Sequence, residues 1–346
     1  MGQQLELLLQ HFGSVIYLLR KFVTKRKSVW QEVISSKKYK KENINSIIKN
    51  ILKVSIPITL CALFSAMTKT IDAVTVVRIL KNIIGEDNAT IQYGILSGKV
   101  DTLIMLPFSF NIALSTALIP SISGALAKNN INSVIKRIKF SILITLLIGI
   151  PCTVLMSLYS NELLSLLFPK ALQGSMMLKY SSLTIIFVLL TQTINGALQG
   201  MGRVNIPVIA FAIGALIKLV LNLVLITRYE VIGAIYSSII SRIVIFLICF
   251  IELKRNIDLK LEIYKYVIKP LIASFIMYII TKTVYLKAYF LINQNIKLIV
   301  SFLIGILIYI ICIIFLKTLS KDEVFMFPYG ELAYKKLKKI NIKKRV

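Results

Sequence analysis

This chain of 346 residues contains eight long apolar segments, and they restrict the folds it can adopt more than any other feature of its sequence. A helix needs about 20 mostly apolar residues to cross the hydrocarbon of a bilayer. Only 16% of the residues are charged, whereas a soluble domain carries roughly a quarter. The sequence therefore predicts an all-α integral membrane protein with eight transmembrane helices. They are expected over residues 51–80, 93–122, 138–159, 177–199, 204–227, 231–252, 266–285 and 294–316.

Basic residues concentrate on one side of these segments. The chain has 42 Lys and Arg against 15 Asp and Glu, and most of the basic residues fall in alternate loops and in the two ends. By the positive-inside rule that side faces the cytoplasm, so the N-terminal loop and the C-terminal tail are both predicted to be cytoplasmic. The expected location is the cell membrane, with anionic membrane lipids as partners of the basic face. Nucleic acid is not expected as a partner, because no basic domain interleaved with aromatic residues occurs.

A shorter apolar stretch, Leu5–Leu19, precedes the first full segment. Glu6, Gln10 and His11 interrupt it, and it lacks the basic start and the cleavage site of a signal peptide. We interpret it as an interfacial helix or as the remnant of a further membrane helix. The predicted regions are then 1–50, an N-terminal helical stub and basic cytoplasmic loop; 51–255, a six-helix transmembrane lobe; 256–318, two additional transmembrane helices; and 319–346, a basic cytoplasmic tail.

Charged side chains inside the apolar segments are the main functional candidates. Each costs about 2.5–3.5 kcal/mol on insertion scales, so such residues are rare without a role. Lys69 and Asp72 are three residues apart on one helix face and can neutralise each other, which would leave them a purely structural role. Lys99 and Asp101 are two residues apart and point to different sides. At least one of these two needs a partner on another helix or a watered cavity.

Lys218 and Arg242 lie at depth on neighbouring segments, and no acid is near them in sequence. Two unpaired cations near the middle of a membrane favour an aqueous cavity that is open to an anionic ligand. Hydrogen bonds to carbonyl oxygens, or snorkelling along a tilted helix, are the alternatives. The predicted cavity cations are Lys69, Lys99, Lys218 and Arg242, and the candidates for ion coupling are Asp72, Asp101 and Asn222.

Glycines and prolines also recur within the apolar segments. Gly196 and Gly200 form a GxxxG pattern, which predicts close packing of two helices. Prolines remove a backbone donor and can kink a helix. Kinked helices around a polar centre fit a carrier that rocks between two states, although many static bundles contain them as well. The prolines in question are Pro57, Pro107, Pro120 and Pro151.

Residues suited to catalysis are scarce. None of the HExxH, GxSxG or P-loop patterns occurs, and no paired carboxylates stand out. The four cysteines fall in apolar segments at scattered spacing, and we interpret them as small packing residues. The sequence therefore predicts a protein that is not an enzyme and that uses no cofactor or metal, while an intramembrane enzyme without a familiar motif stays open.

Several stretches resemble one group of membrane transporters. Residues 51–80 contain SIPIT and end in IDAVTVVRIL, residues 93–125 contain YGILSG, LPFSF and LIPSISGA, and residues 196–226 combine LQGMGR with IKLVLN. Together they resemble the stage V sporulation protein B group. That group belongs to the polysaccharide-exporter branch of the superfamily that also holds lipid II flippases and multidrug and toxin extrusion carriers. The resemblance is close over about residues 48–255 and loose over the last two segments.

The resemblance implies a fold of two six-helix lobes around a central cavity, followed by two further helices. It also implies alternating access for undecaprenyl-pyrophosphate-linked sugars or peptidoglycan precursors, which in spore formers would serve cortex synthesis. Lys218 and Asn222 match the family's KxxLN helix, and Asp72 matches the acid that closes its seventh helix. Family members have fourteen membrane helices, so this chain is expected to correspond to the second lobe and the terminal pair and to lack the first lobe.

Three functions remain as hypotheses. In the first, the chain is half of a flippase that binds the pyrophosphate of a lipid-linked precursor through Lys218, Arg242 and either Lys69 or Lys99. It would act with a separate N-terminal half or by self-association. In the second, it is a cation-coupled antiporter of small molecules with Asp72 as the coupling acid. In the third, it is a non-transporting membrane partner in cell-wall synthesis or a truncated product, which the DNA immediately upstream can test.

Overall fold

The computed structural model describes residues 44–169, 173–287 and 294–326. The predicted stub at 5–19, most of the predicted region 1–50 and most of the predicted tail 319–346 lie outside the described residues. The chain divides into two compact units, Met1–Lys53 and Val54–Val346. Only the opening turns of one helix are described in the first unit. All of the predicted site residues belong to the second.

Helices make up nearly all of the described chain, and no strand occurs in it. Two short π-helical turns also occur: Ile95–Val100 leads directly into the helix that begins at Asp101, and Tyr264–Ile268 leads into the helix that begins at Lys269. The helices are α1 (Ile44–Ile84), α2 (Glu86–Gly94), α3 (Asp101–Ala127), α4 (Ile131–Leu158), α5 (Ser160–Leu167), α6 (Ser175–Ser181), α7 (Thr184–Gly200), α8 (Asn205–Asn256), α9 (Lys269–Lys287), α10 (Gln294–Phe315) and α11 (Lys321–Phe325).

Seven helical segments of the described chain are long and apolar enough to cross a membrane. The longest, α8, has 52 residues and a break at Glu230, where the backbone has φ 51° and ψ −135°. This break falls between the predicted segments 204–227 and 231–252, so α8 supplies two of the predicted crossings. The chain is therefore a multi-pass membrane protein, and the predicted all-α membrane fold is confirmed.

The two arms of α8 fold back against each other. Ser241 Oγ in the second arm donates a hydrogen bond to the Gly214 carbonyl oxygen in the first, over 2.8 Å. A Cβ atom on Gly214 would collide with Ile245, and one on Gly233 would collide with the backbone at Leu225. Glycine at these two positions therefore permits the close approach of the arms.

The GxxxG pattern lies where α3 and α7 pack together. A Cβ atom on Gly196 would lie 2.7 Å from the Ser115 carbonyl oxygen, and one on Gly200 would lie 2.9 Å from Ile122 Cβ. Both distances are well below the roughly 3.5–4.0 Å at which non-bonded atoms attract. The prediction of close helix packing is confirmed, because a larger residue at either position would push the helices apart.

A buried polar cluster joins α3, α4 and α7. Asn111 Nδ2 donates hydrogen bonds to the Leu189 carbonyl oxygen over 2.9 Å and to Thr193 Oγ1 over 3.1 Å. Thr145 Oγ1 lies 2.7 Å from Thr193 Oγ1. Interhelical hydrogen bonds of this kind help to hold membrane helices together, since lipid supplies no hydrophobic force between them. Because α3 and α7 also carry residues of the candidate site, the cluster fixes part of the wall of that site.

The outward-facing side chains of the helices are largely apolar. Phe110, Leu216 and Leu307 are 75%, 67% and 60% exposed. Such exposure is unfavourable in water and favourable in hydrocarbon, where the helical backbone satisfies its own polar groups. The buried polar residues are thus enclosed by a surface that suits lipid.

A lysine and a glutamate join the start of α9 to α11. Lys265 Nζ lies 2.6 Å from Glu323 Oε1, and Glu323 Oε2 accepts a hydrogen bond from the Ser320 backbone N–H over 2.7 Å. We call Lys265, Glu323 and Ser320 the clasp. Burial alone would raise the pKa of Glu323, but the hydrogen bonds from Lys265 and Ser320 outweigh burial and hold it below its ordinary value.

Candidate functional site

Asp72 is the centre of a hydrogen-bonded group that joins α1 to α8. Lys218 Nζ lies 2.5 Å from Asp72 Oδ2, and we call these two residues the cavity pair. Asn222 Nδ2 donates hydrogen bonds to Asp72 Oδ1 over 3.0 Å and to Thr75 Oγ1 over 2.8 Å. Only 6% of the Lys218 side chain and 14% of the Asp72 side chain are exposed. Residues three or four apart share a helix face, so each helix contributes two adjacent groups.

Two adjoining cavities lie beside this group. The wider cavity has a volume of 390 Å³ and is lined by charged residues of α1 and α3 together with hydroxyl groups of Ser97, Thr102 and Ser109. The narrower cavity has a volume of 50 Å³ and adds Lys218 and Arg242 to the lining. Several residues line both cavities, so the two lie side by side, and we refer to them together as one space. The shared charged residues are Lys69, Asp72 and Asp101.

This space contains more positive than negative charge. Three cations face two carboxylates, namely Lys69, Lys218 and Arg242 against Asp72 and Asp101. In the described part of the chain, Lys69, Arg242 and Asp101 have no direct hydrogen bond or ion pair, although Asp101 interacts electrostatically with all three cations. Opposite charges attract several-fold more strongly near a protein than in bulk water. An anion that enters the space would therefore meet two unpaired cations before it competes with Asp72 for Lys218.

The local structure of α3 and α8 accounts for the position of these groups. Asp101 is the first residue of α3, directly after the π-helical turn Ile95–Val100. Such turns often occur at functional sites, because they change the helical register within an otherwise regular helix. The break at Glu230 returns the second arm of α8 along the first, which brings Arg242 to the same cavity as Lys218.

Most of the predicted site residues share this space. Asn222 contacts it through Asp72. Lys99 is placed elsewhere, because its Nζ lies 5.6 Å from the ring centroid of Phe168 and it lines neither cavity. The predicted residues that line the cavities are Lys69, Asp72, Asp101, Lys218 and Arg242.

The pairing inside the space differs from the expectation drawn from the sequence. Asp72 binds Lys218 and not Lys69, and so Lys218 is not an unpaired cation. These two residues are separated by 146 positions, and no local spacing rule connects them. The packing of α1 beside α8 decides the pairing.

Some polar residues of the site were not among the sequence candidates. Thr75 accepts a hydrogen bond from Asn222, and Ser238 and Thr184 line the narrower cavity with Arg242. Thr75 lies three residues after Asp72, and Ser238 lies four before Arg242, so helical spacing from a charged candidate could have found both. Thr184 has no charged neighbour on its own helix, and only the packing of α7 places it here.

A family model described as lipid II flippase MurJ matches residues 10–306, which is most of the chain. The chain belongs to the MurJ family of lipid II flippases. The superfamily predicted from the sequence motifs is thereby confirmed.

Curated relatives of this MurJ-family chain include two proteins of Bacillus subtilis (strain 168). Its lipid II flippase MurJ is 30% identical over 232 residues, which cover 63% of this chain and 42% of that protein. Its stage V sporulation protein B is 24% identical over 245 residues, which cover 69% of this chain and 46% of that protein. The chain therefore spans about half the length of the curated relatives that it matches.

Solved structures share the fold of this MurJ-family chain. A lipid II flippase MurJ in an inward closed conformation matches with a TM-score of 0.58 and 21% identity, covering 83% of this chain and 59% of that one. An outward-facing multidrug resistance transporter of the MATE family matches with a TM-score of 0.52 and 15% identity, covering 82% of this chain and 74% of that one. At these identities the likeness shows the fold alone.

Proposed function

We propose that this MurJ-family chain is one lobe of a flippase that moves lipid-linked polysaccharide or peptidoglycan precursors across the cell membrane. The observation that supports this function is the membrane cavity in which Lys69, Lys218 and Arg242 face two carboxylates. Such an excess of positive charge suits an anionic group that has to leave water, because the attraction between close charges offsets part of the cost of desolvation. The pyrophosphate of an undecaprenyl-type lipid carrier is an anion of this kind.

The proposed binding sequence begins at the unpaired cations. Lys69 lines the wider cavity and would meet the anion first. Arg242, in the narrower cavity, offers a planar set of donors that matches phosphate oxygens. Lys218 joins only when its ammonium group leaves Asp72. Asp72 then acts as an internal anion that competes with the substrate, and the return of Lys218 to Asp72 favours release.

The transport cycle is proposed for an assembly of lobes. The matched region is 42% of one curated relative and 59% of a solved flippase, so we place a second lobe opposite the cavity. Rocking of the two lobes would expose the cavity to each side of the membrane in turn. The positive-inside pattern assigns the N-terminal loop and the C-terminal tail to the cytoplasm. A relative with a sporulation name supports a precursor for the spore cortex as cargo.

Translocation of a fluorescent lipid-linked precursor into proteoliposomes tests this function. Lys218→Ala combined with Arg242→Ala is expected to lower the initial rate by at least tenfold, because each hydrogen bond to a charged group contributes about 1.5–3 kcal/mol. Lys297→Ala is the matched control. It removes a membrane lysine whose Nζ lies 4.8 Å from the ring centroid of Tyr285 and which lines neither cavity.

Two outcomes would overturn the proposed site. Rates that are unaffected by the double substitution would show that the cavity cations do not bind the substrate. An equal loss in Lys297→Ala would show that any membrane cation has the same effect, whatever its position. Circular dichroism of each variant confirms that the helices are intact before the rates are compared.

A cation-coupled antiporter of small molecules is the second candidate function. Two acids, Asp72 and Asp101, line the same cavity, and carriers that couple transport to an ion use intramembrane acids for this purpose. Efflux of an organic solute, measured across a pH gradient, distinguishes this candidate from the first. If Asp72→Asn leaves both the rate and its pH dependence unchanged, antiport coupled through Asp72 is excluded.

A further inference from the structure

A separate cavity lies where the two arms of α8 meet. It has a volume of 270 Å³ and is lined by Gln92 of α2, by residues 174–177 at the start of α6, and by residues 229–232 at the break of α8. No residue that lines it also lines the two cation-bearing cavities. We call it the break cavity. The positive-inside pattern assigns this end of the lobe to the outer side of the membrane.

The lining of the break cavity combines one carboxylate with aromatic and thioether surface. Glu230 is the acid among the described lining residues, and none of those residues is basic. Tyr229 is 53% exposed, and its ring packs edge-to-face against Tyr236 with the centroids 6.2 Å apart. Met176 and Met177 add flexible, polarisable surface. The cavity is therefore negatively charged and largely apolar, which is the opposite of the charge preference at Lys218 and Arg242.

The Glu230 carboxylate has no hydrogen bond or ion pair within the described ranges. Another acid at this end of the lobe, Glu86, is paired with Lys81 over 2.5 Å. The backbone of Glu230 has φ 51°, a conformation that is uncommon for residues other than glycine and costs of order 1–3 kcal/mol. Glycine would adopt it with less strain, so the glutamate places a charge at a position whose backbone conformation favours glycine.

We propose that the break cavity binds an organic ammonium group. Glu230 supplies the charge partner, and the exposed face of Tyr229 supplies a cation–π contact. The two methionines surround the methyl or methylene groups of such a ligand. A hard metal cation would need six or more oxygen ligands in the case of Ca²⁺, and a single carboxylate among thioethers does not provide them. The inference does not depend on the proposed flippase function, because it concerns a different cavity and a ligand of opposite charge.

Choline and its uncharged isostere, 3,3-dimethylbutan-1-ol, are suitable probes. The two molecules have the same shape and differ in the positive charge. The purified chain is placed in phosphatidylglycerol nanodiscs, so that no lipid choline competes, and binding is followed by saturation-transfer NMR. We expect choline to bind about tenfold more tightly than the isostere, in line with the combined strength of an exposed cation–π contact and an exposed charge partner.

Substitutions at the lining test the two contacts separately. Glu230→Gln keeps the size of the side chain and is expected to weaken choline binding about threefold, because Glu230 is exposed and exposed charge pairs are weak. Tyr229→Leu removes the ring and is expected to weaken it about threefold to fivefold, as for an exposed cation–π contact. Glu86→Gln is the matched control, because it removes a nearby acid that does not line the cavity.

Equal binding of choline and the isostere would overturn the proposal, as would choline binding that is unchanged in Glu230→Gln. Lys218→Ala separates this inference from the proposed flippase function. It is expected to weaken pyrophosphate binding and to leave choline binding at the wild-type level. Tighter choline binding in Lys218→Ala would mean that the ligand occupies the cation-bearing cavities and not the break cavity, because this substitution removes a like charge and frees the Asp72 carboxylate.

Discussion

The two lysine–carboxylate pairs of this molecule have nearly the same geometry. The cavity pair is closed over 2.5 Å and the clasp over 2.6 Å. In each, the second carboxylate oxygen accepts another hydrogen bond, from the Asn222 side chain in the cavity pair and from the Ser320 backbone in the clasp. Distance and hydrogen-bond number therefore do not distinguish the role of one pair from that of the other.

The surroundings of the two pairs differ. The cavity pair shares an open space with an unpaired acid and two unpaired cations, which are Asp101, Lys69 and Arg242. The clasp borders neither of those cavities, and it ties the short helix α11 to the π-helical turn that leads into α9. We expect the charges beside the cavity pair to allow its partners to be exchanged for a ligand. The clasp borders no such space, and we expect it to act as a tether.

Removal of the carboxylate is expected to give the largest difference between the two pairs, measured as loss of unfolding free energy. Asp72→Ala leaves the Lys218 ammonium buried without its bonded partner, and breaking a buried ion pair costs about 3–5 kcal/mol of unfolding free energy. Glu323→Ala leaves Lys265 without this carboxylate, but the Lys265 side chain is 21% exposed against 6% for Lys218, so its cost is expected to be smaller, about 1–2 kcal/mol. Denaturant-induced unfolding in detergent micelles, followed by far-UV circular dichroism, measures both.

A second substitution checks the origin of the larger loss. Lys218→Met in the Asp72→Ala background removes the uncompensated charge, and most of the lost stability is expected to return. Two results would contradict this expectation: stability that does not return, or an equal loss of unfolding free energy on removal of Asp72 and of Glu323. Either result would mean that the cavity pair contributes no more to stability than the clasp does.

Asn222→Ala is expected to have the next largest effect. It leaves Asp72 Oδ1 and Thr75 Oγ1 without their donor, and a buried acceptor without a partner costs about 1–3 kcal/mol. The side-chain oxygen of Asn222 is itself buried without a partner among the described residues, so its loss offsets part of the cost and the lower half of this range is expected. The same unfolding assay measures it.

Thr75→Ser is the matched control for Asn222→Ala, because it keeps the hydroxyl group that accepts the hydrogen bond. Its stability is expected to remain close to that of the wild type. If Asn222→Ala leaves the unfolding free energy unchanged, Lys218 alone holds Asp72 in place and the hydrogen bond from Asn222 contributes nothing to stability.

The helices of this chain could be predicted from local composition. A helix that crosses hydrocarbon has to be apolar along its length, and the predicted segment 138–159 accordingly lies almost entirely within Ile131–Leu158. The helix begins seven residues earlier than predicted, because its first two turns carry Lys136 and Arg137 and are not apolar. Apolar runs thus mark the part of a helix that suits hydrocarbon and not the ends of the helix.

The charged members of the site could also be predicted, since charge is rare in apolar runs, but their contacts could not. Asp72 and Lys218 meet because α1 packs beside α8, which no local pattern specifies. The π-helical turn before Asp101 and the exclusion of Lys99 from the cavities depend equally on tertiary packing. Residue type therefore indicated the chemistry of the site, and packing determined the geometry.

The two pairs are also expected to differ in how their carboxylates affect the binding of an anion. Asp72→Asn keeps the size of the side chain and removes the charge that holds Lys218, so pyrophosphate is expected to bind the purified protein about tenfold more tightly. Glu323→Gln in the clasp is expected to change the affinity little. Isothermal titration calorimetry measures both. Unchanged or weaker binding in Asp72→Asn would contradict an internal anion that competes with the substrate.

The smallest effect is expected in the pH dependence of the clasp. Burial alone would raise the pKa of Glu323, but the hydrogen bonds from Lys265 and Ser320 hold it below the ordinary value of 4.5. Because the pKa is lower in the folded protein than in the unfolded chain, the clasp stabilises the fold above pH 4.5. This stabilisation is lost as the pH falls through the lowered value, where the carboxylate becomes protonated.

Unfolding of the wild type and of Glu323→Gln, compared between about pH 7 and about pH 3, measures this contribution. The difference is expected to be about 1 kcal/mol or less at neutral pH and to shrink at the acidic end. A difference that stays constant or grows on acidification would mean that the glutamate contributes through packing and not through its charge. In that case packing and not charge would hold α11 in place. The clasp would then resemble the cavity pair only in its interatomic distances.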